Sequence, residues 1–446
     1  MKDKILHNIL FWLLMAFLCL PALQQCVGLF HFKELEGFVA TEEPVKLSWG
    51  TLKDDSFQKY CGRRAKNEFG FREFYIRAYN QLMYSCFSQS TNDNIVIGKD
   101  GELFLKQYTN VTTGKSLKED FGTVDSARRA ALYNVLETKR WMDTLQARDI
   151  KLLVVLAPDK PALYPEYLPD DMQRLAAENP FSLQETYAEL YREYDIPHIY
   201  FTPIFQEWKK TAAYPLYTRY GTHWAHSTIP AVADTILRKM EELLQRQLPS
   251  VQYVDSNLTT RYLPSDRELE GQLNLMFPLR HKRLPMPTFA LHSHEGDSKP
   301  HLLVIGDSYF TQLEGSPFME AFSRVDYWKY NKQAFSTEST RSEKVVYIDR
   351  YKILDETDII VVMFTSMYAY KYFFGFLGTL EETLHNGPNY DWMQEVRSTI
   401  QRIKADPVWY ESVKKQAEER QITVEQSLLD NAKYVYEMEH QQSMLP

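Results

Sequence analysis

The chain alternates between long segments with helical periodicity and short runs made almost entirely of apolar residues. The helical periodicity covers residues 124–148, 182–194 and 226–246. The candidate strands between and after them are Lys151–Ala157, His198–Phe201, Leu302–Ile305 and Ile359–Phe364. Runs such as Leu-Leu-Val-Val-Leu are typical of strands buried on both faces, as in parallel sheets. The pattern therefore predicts an α/β core with a doubly wound parallel sheet.

A second pattern precedes this core. Between Asn94 and Leu105, two short apolar runs flank the sequence Gly98-Lys99-Asp100-Gly101. Asp-Gly tolerates the positive φ values that tight turns need. This spacing predicts a β-hairpin.

The two ends of the chain differ from the middle. A cationic start is followed by an apolar stretch, Ile5–Leu23, without a small-residue cleavage site after it; this favours a retained signal-anchor over a cleaved signal peptide. Beyond residue 380 the helical segments are mostly polar. The predicted organisation is 1–29 membrane signal-anchor, 30–90 stalk and leading helix, 91–375 α/β domain, and 376–446 helical C-terminal extension.

Composition narrows the function. The net charge is −8 and no dense run of Lys and Arg occurs, so the electrostatic footprint of a nucleic-acid-binding protein is missing. Aromatic residues reach 14%, which suits either core packing, the more common use, or surfaces that stack on sugars.

The four cysteines and the histidines form no recognisable metal motif. There is no CxxC pair and no HExxH sequence, so no zinc site is predicted. Two alternatives remain for Cys61 and Cys86: one disulfide in an oxidising compartment, or two buried free thiols.

The most informative position for catalysis follows the strand Leu302–Ile305. Gly306-Asp307-Ser308 comes directly after it. Ligands bind at the carboxyl ends of parallel strands, and a glycine there lets the backbone turn sharply. Ser308 is therefore a candidate nucleophile, although the same tripeptide also occurs in ordinary turns.

A serine hydroxyl needs a base, and two histidines compete for that role. His223, in Thr222-His223-Trp224, precedes the helical segment 226–246, at an element boundary where site residues collect. His226 lies three positions later. The sequence favours His223.

Together these motifs resemble the periplasmic alginate O-acetyltransferase family, of the SGNH-hydrolase-like superfamily. The resemblance rests on Gly306-Asp307-Ser308, Thr222-His223-Trp224, the turn Ala157-Pro158-Asp159-Lys160 and the hairpin turn at residues 98–101, in the family's order and together with the N-terminal apolar segment. It extends over about residues 70–370. It implies that Ser308 is the acyl-carrying nucleophile and that His223 is its base.

One position departs from the family pattern. The family usually has Asp-Thr-His-Trp, whose acid orients the histidine, whereas this chain has Gly221 in that place. Asp159, at the end of the first core strand, is a candidate replacement. Asp307 and Trp224, which adjoin the two reacting residues, complete the candidates for orienting the histidine or supporting an oxyanion hole, beside the backbone N–H of Ser308.

The resemblance implies a membrane-tethered O-acetyltransferase on the periplasmic face of the bacterial inner membrane, held by a single-pass anchor. Its acceptor would be an exported polysaccharide. Its acetyl donor would be a multi-pass membrane O-acyltransferase, and neither a cofactor nor a metal is implied. Two alternatives stay open: a carbohydrate acetylesterase that uses the same residues with water, and a non-catalytic polysaccharide-binding or assembly protein.

Overall fold

The computed structural model describes residues 2–37, 44–293 and 296–442. Its helices, in chain order, are α1 Lys2–Val27, α2 Trp49–Lys53, α3 Ser56–Asn67, α4 Arg72–Phe87, α5 Lys106–Thr112, α6 Lys115–Asp120, α7 Val124–Gln146, α8 Lys160–Leu163, α9 Asp170–Glu178, α10 Leu183–Glu193, α11 Phe201–Thr211, α12 Ile229–Leu244, α13 Glu268–Gln272, α14 Phe310–Glu314, α15 Arg350–Glu356, α16 Phe376–Asn386, α17 Trp392–Ala405, α18 Pro407–Arg420 and α19 Val424–Gln442. Its strands are β1 Ile95–Ile97, β2 Leu103–Leu105, β3 Lys151–Leu156, β4 His198–Tyr200, β5 Ser250–Thr259, β6 Leu284–His292, β7 His301–Gly306, β8 Arg324–Lys329, β9 Gln333–Ser336, β10 Ser339–Lys344 and β11 Ile359–Phe364.

The chain folds into two compact units, of which the first contains the described residues up to Lys106 together with Arg219–Gly221 and Arg267–Lys282. Strands β1 and β2 pair antiparallel within it, so the predicted hairpin is confirmed. Its turn places Asp100 at φ 55° and Gly101 at φ 73°, the left-handed conformation for which an Asp-Gly pair is suited. The hairpin groups with this unit.

Helix α1 coincides with the apolar N-terminal segment. Across the described ranges of the chain, no helix has both the length and the apolarity needed to cross a bilayer. The signal-anchor stays a prediction from the sequence.

The second unit is built on a seven-stranded sheet with the order β10-β9-β8-β7-β11-β3-β4. The five strands from β8 to β4 are parallel to their neighbours. Strands β9 and β10 run antiparallel. The α/β prediction is confirmed, but the sheet is mixed and not wholly parallel as the apolar runs predicted.

Strand β3 shows why these runs form a buried sheet. Leu152, Val154 and Leu156 pack in one core cluster with residues of α7 and α10, while the alternate residues Leu153 and Val155 are also fully buried. Both faces of the strand are thus covered, as the unbroken apolar sequence requires.

Strand β8 was not predicted, because its sequence Arg-Val-Asp-Tyr-Trp-Lys contains charged residues. The structure buries Asp326 by pairing it with His301 and Arg324. His301 Nε2 lies 2.7 Å and Arg324 Nε 2.7 Å from Oδ2 of Asp326. A paired carboxylate can enter a sheet interior where an unpaired one cannot, and no local pattern reveals that partnership.

Helices α17–α19 form a cluster of their own, with a core of Val396, Ile403, Val413, Leu428, Ala432 and Tyr436 beside Val346. Helix α16 instead contributes Phe376 and Leu380 to the core of the α/β sheet. We call α17–α19 the helical extension.

All four cysteines are free and exposed. Neither alternative for Cys61 and Cys86 is therefore correct: the two residues form no disulfide, and their thiols are not buried.

Candidate active site

Ser308 lies just beyond the carboxyl end of β7, at the edge where the five parallel strands end. The preceding Gly306 passes close to β11: a Cβ built on it would be 3.2 Å from the carbonyl oxygen of Met363. The glycine thus lets the backbone leave the sheet beside its neighbour. Ser308 itself is partly buried, between a core strand and solvent.

Asp307 fixes the turn that presents Ser308. Its side chain is completely buried and accepts hydrogen bonds from the backbone N–H of Tyr309 at 3.0 Å and from the N–H and hydroxyl of Thr365, each at 2.9 Å. Burial raises the pKa of this carboxyl, while those three donors favour its charged form. The carboxylate therefore ties the ends of β7 and β11 together.

His223 reaches the candidate nucleophile. Its Nε2 lies 2.9 Å from Oγ of Ser308, within the range of a hydrogen bond that a general base requires. The two residues are 85 positions apart in the chain, and the fold alone brings them together. The other candidate, His226, begins a one-turn helix, and its backbone N–H donates to Asp266 at 3.0 Å.

Tyr309 positions the histidine. Its hydroxyl donates to the carbonyl oxygen of Thr222 at 2.7 Å, and its ring lies 4.8 Å from the imidazole ring of His223. The tyrosine is fully buried, so both contacts lie in a tightly packed interior. One side chain thus holds the backbone before the histidine and one face of its ring.

Trp224 anchors the same segment from the other side. It is completely buried, and its ring lies 5.0 Å from Tyr309, 5.9 Å from Phe201 and 6.0 Å from Phe205. An isolated bridge pairs Trp224 with Tyr217. In this position the indole supports His223 by packing.

Asp159 follows β3, at the same edge of the sheet. It is buried, and its carboxylate accepts the N–H of Ala162 at 3.0 Å as the N-cap of α8. Burial raises its pKa, and hydrogen bonds from Ser366 and Ala162 act in the opposite direction. The capping bond gives this carboxylate a structural role, and its predicted role in orienting the histidine stays a prediction.

Sequence reasoning missed the residues that support Asp307. Thr365 follows β11 directly, and Tyr108 donates its hydroxyl to the Thr365 hydroxyl at 3.1 Å. Tyr327 donates to the backbone carbonyl of Asp307 at 2.6 Å. The sequence could have indicated Thr365, since it follows an apolar strand as Asp307 does. Nothing in the sequence distinguished Tyr108 or Tyr327 from other tyrosines.

This arrangement can move a proton from Ser308 to His223, and it keeps one backbone N–H available to bind an oxyanion. The Ser308 hydroxyl can donate to Nε2 of His223 when the imidazole proton is on Nδ1. The backbone N–H of Ser308 forms no hydrogen bond with any residue that the structure describes. Within the same described ranges, no group of three or more His, Cys, Asp or Glu side chains is arranged to bind a metal ion.

The segment that forms this site is similar to an SGNH-hydrolase-like domain. Residues 95–313, just under half of the chain, match the family model described as "SGNH hydrolase-like domain, acetyltransferase AlgX". The resemblance inferred from the motifs is thereby confirmed for the segment that contains both His223 and Ser308.

Solved structures give more distant likenesses. The O-acetyltransferase domain of Pseudomonas putida AlgJ is 17% identical, with 62% of this chain and 92% of that chain covered and a TM-score of 0.40. Pseudomonas aeruginosa AlgX is 16% identical, with 64% and 68% covered and a TM-score of 0.40. Bacillus cereus PatB1 is 10% identical, with 55% and 92% covered and a TM-score of 0.33. No curated protein sequence matches the chain.

Proposed function

We propose that the protein is an O-acetyltransferase that acts on hydroxyls of an exported polysaccharide through an acetyl-enzyme on Ser308. The observation that carries the proposal is the distance of 2.9 Å between His223 Nε2 and Ser308 Oγ, inside a segment that matches an acetyltransferase family model. A serine without an adjacent base is a weak nucleophile, so this pair is the minimum that acyl transfer requires.

In the first half of the reaction, His223 takes the proton of Ser308 as Oγ forms a bond with the carbonyl carbon of the acetyl donor. The N–H of Ser308 stabilises the oxyanion. The bond to the leaving group then breaks, and the imidazolium returns the proton to that group. The product is an acetyl ester on Ser308.

In the second half, a hydroxyl of the acceptor takes the place of the leaving group. His223 removes its proton while the acceptor oxygen attacks the acetyl ester, and the same proton then returns to Ser308 Oγ. Water in that position would give an esterase. Tyr309 bonds to the Thr222 carbonyl and packs on the ring of His223. These contacts support an imidazole that keeps its position through both halves of the reaction.

The donor and the location belong to the same proposal. We infer that a multi-pass membrane acyltransferase supplies the acetyl group and that the protein works in the periplasm. We further propose that the N-terminal segment tethers the protein to the membrane. N-terminal sequencing of the mature protein tests this, because a chain that begins beyond residue 26 has no tether.

The catalytic proposal is tested with purified protein and an activated acetyl ester. We expect intact-protein mass spectrometry to find one acetyl group on the wild type and none on Ser308→Ala. Ser323→Ala is the matched control, because Ser323 is exposed and its hydroxyl makes no hydrogen bond among the described residues; it should acetylate normally.

Adding an oligosaccharide separates the alternatives. Acetylated oligosaccharide supports transfer, whereas acetate release that the oligosaccharide does not alter identifies an esterase. A folded wild type that takes up no acetyl group would overturn the catalytic proposal and leave a binding or assembly protein.

A further inference from the structure

His223 needs a partner on the side of its ring that faces away from Ser308. When the Ser308 hydroxyl donates to Nε2, the imidazole proton is on Nδ1. An acceptor there fixes this tautomer and stabilises the positive charge that forms as the base takes a proton. The resembled family usually has an aspartate two residues before the histidine, where this chain has Gly221. A carboxylate for this role must therefore come from another segment.

The segment that carries His223 runs antiparallel to the segment that ends at Thr218. Tyr217 pairs with Trp224 in an isolated bridge, and a backbone hydrogen bond of 2.7 Å joins the two segments at the adjacent position. In the other direction, the same register sets Thr218 opposite His223. Opposite side chains of an antiparallel pair project to the same face, with their Cβ atoms about 4.5–5.5 Å apart. The Thr218 side chain therefore marks the surroundings of the imidazole.

Asp266 contacts both sides of this arrangement. Its backbone carbonyl accepts the hydroxyl of Thr218, and its side-chain Oδ1 accepts the N–H of His226 at 3.0 Å. The residue is buried, with 4% of its surface exposed, and it belongs to the same compact unit as His223. Asp266 is thus held by the residue opposite the histidine and by the residue three positions after it.

These two contacts place the carboxylate beside the imidazole, on the side away from the serine. The Nε2 edge of the ring is directed at Ser308 Oγ, so the Nδ1 edge is the one left for another group. A carboxylate can accept several hydrogen bonds. The bond from the His226 N–H therefore does not prevent a second one from Nδ1 of His223.

A buried cation lies in the same neighbourhood. Lys160 is 2% exposed, and its Nζ donates to the backbone carbonyl of Thr218 at 2.7 Å. The ammonium group and Asp266 thus contact the same residue. A nearby positive charge favours the ionised form of a buried carboxylate, and the ionised form is the one that can stabilise an imidazolium.

The other two buried carboxylates of the site have hydrogen bonds directed elsewhere. Asp307 accepts donors that follow β7 and β11, and Asp159 caps α8. Of the three, Asp266 is the one whose described hydrogen bonds reach the segments on either side of His223.

We propose that Asp266 is the positioning residue of His223: its carboxylate accepts the Nδ1 proton and does the work of the acid that this chain lacks at position 221. The inference replaces Asp159, the candidate from the sequence, with a residue 43 positions beyond the histidine. It rests on the proposed function in one respect, since the orientation of His223 affects turnover only if His223 is the base for Ser308.

The first test is the rate of acetyl uptake by Asp266→Asn from an activated ester. Asparagine keeps an oxygen that can accept the His226 N–H, but it carries no charge. We expect the rate to fall by about 10²-fold or more, because neutralising the orienting acid of the serine-protease template costs about 10⁴-fold in turnover. Asp326→Asn is the matched control: Asp326 is also buried and lies 2.7 Å from a histidine nitrogen, but it is in β8, so only stability should fall.

The tautomer of His223 is a readout that a purely structural role of Asp266 would not change. NMR of the full chain with isotope-labelled histidines reports which ring nitrogen carries the proton, and His223→Gln identifies the signal. Near neutral pH we expect the Nδ1 proton in the wild type and in Asp326→Asn. Asp266→Asn should lose this preference.

Returning an acid to position 221 gives the second test. Gly221→Asp combined with Asp266→Asn should react at least tenfold faster than Asp266→Asn alone. In the otherwise wild-type chain, Gly221→Asp should not raise the rate, because His223 already has its acid. This single variant decides the question even if Asp266→Asn does not fold.

Three results would overturn the inference: a folded Asp266→Asn with the rate and tautomer of the wild type, a change of both in Asp159→Asn instead, or a rate raised tenfold or more by Gly221→Asp alone. A wild type that takes up no acetyl group would overturn the proposed function. The tautomer of His223 in Asp266→Asn would still decide whether Asp266 holds the ring, so the two failures are distinguishable.

Discussion

The candidate active site and the contact between α16 and the helical extension both hold a carboxylate away from solvent, but they stabilise it in different ways. At the active site, the buried carboxylate of Asp307 is satisfied by backbone N–H groups and a hydroxyl. Where α16 meets the extension, the half-buried Glu382 of α16 is paired with Arg350 of α15 and His440 of α19, at 2.7 and 2.8 Å. Neutral donors do not titrate near neutral pH, whereas a histidine does. Near neutral pH, the stability of the first region should therefore change less with pH than the stability of the second.

Removing the base should have the largest effect of all. We expect His223→Ala to lower the rate of acetyl uptake from an activated ester by about 10³-fold or more, since the serine loses its proton acceptor. Stopped-flow measurement of ester cleavage checks this. His226→Ala is the control, because His226 lies in the same segment and should retain a rate near that of the wild type.

Removing Asp307 should have the largest effect on stability. Asp307→Ala leaves the N–H groups of Tyr309 and Thr365 buried without their acceptor, at about 1–3 kcal/mol for each. Denaturant unfolding measures the loss. Asp406→Ala also removes an acceptor from two backbone N–H groups, but those groups are at an exposed helix end, so about 1 kcal/mol is expected. Equal losses would contradict the contrast between a buried and an exposed acceptor.

The contact between α16 and the extension should lose stability in two pH ranges. Burial alone would raise the pKa of Glu382, but hydrogen bonds from His440 and Arg350 lower it to about 2. Its contribution is therefore present above about pH 4.5 and is lost as the pH falls toward 2. Burial alone would lower the pKa of His440, but hydrogen bonds with Glu382 and Glu395 raise it above its ordinary value. The contribution of His440 to stability is therefore present below pH 6.5 and is lost as the pH rises through the folded-state pKa.

Thermal unfolding between pH 5 and pH 9 measures the upper transition. We expect the midpoint of the wild type to fall by a few degrees toward high pH, and His440→Gln to remove that fall because glutamine does not titrate in this range. A variant profile with the same slope as the wild type would show that another group is responsible. The candidate active site should stay folded between pH 5 and pH 9.

A smaller effect is expected from the hydroxyl of Tyr309. Tyr309→Phe removes its bond to the Thr222 carbonyl, and we expect about 1 kcal/mol of lost stability with a roughly tenfold lower turnover, because the imidazole is less well positioned. Tyr191→Phe is the control: its hydroxyl bonds to Tyr372 at 3.0 Å in the core, so stability should fall without a change in turnover. If both variants lower turnover equally, Tyr309 has no specific positioning role.

The regions also differ in how far their sequence predicted them. The core strands were predictable because a strand such as β11 is apolar along its whole length, which is typical of a strand buried on both faces. Ser308 and His223 could be selected as candidates because Ser308 follows a core strand and His223 precedes a helical segment. Asp326 and the strand around it were not, since its burial depends on His301, 25 residues away.

The supporting contacts were the least predictable part of the site. Tyr309 is adjacent to the nucleophile in sequence, yet its contact with Thr222 spans 87 positions. The contact between Arg350 of α15 and Glu382 of α16 likewise joins residues that are 32 positions apart. Such pairings depend on how the elements pack, which local periodicity does not report.

The two outer strands of the large sheet have a consequence for how the chain avoids self-association while it folds. Parallel sheets form slowly because their pairings are distant in sequence, and an uncovered strand edge can pair with another chain. Strand β4 is only three residues long. Strand β10 is exposed throughout and contains Arg341, Glu343 and Lys344, so a second chain that paired with it would bring charges together. Both edges thus discourage intermolecular strand pairing, and the sheet can reach its full width with little risk of aggregation at either side.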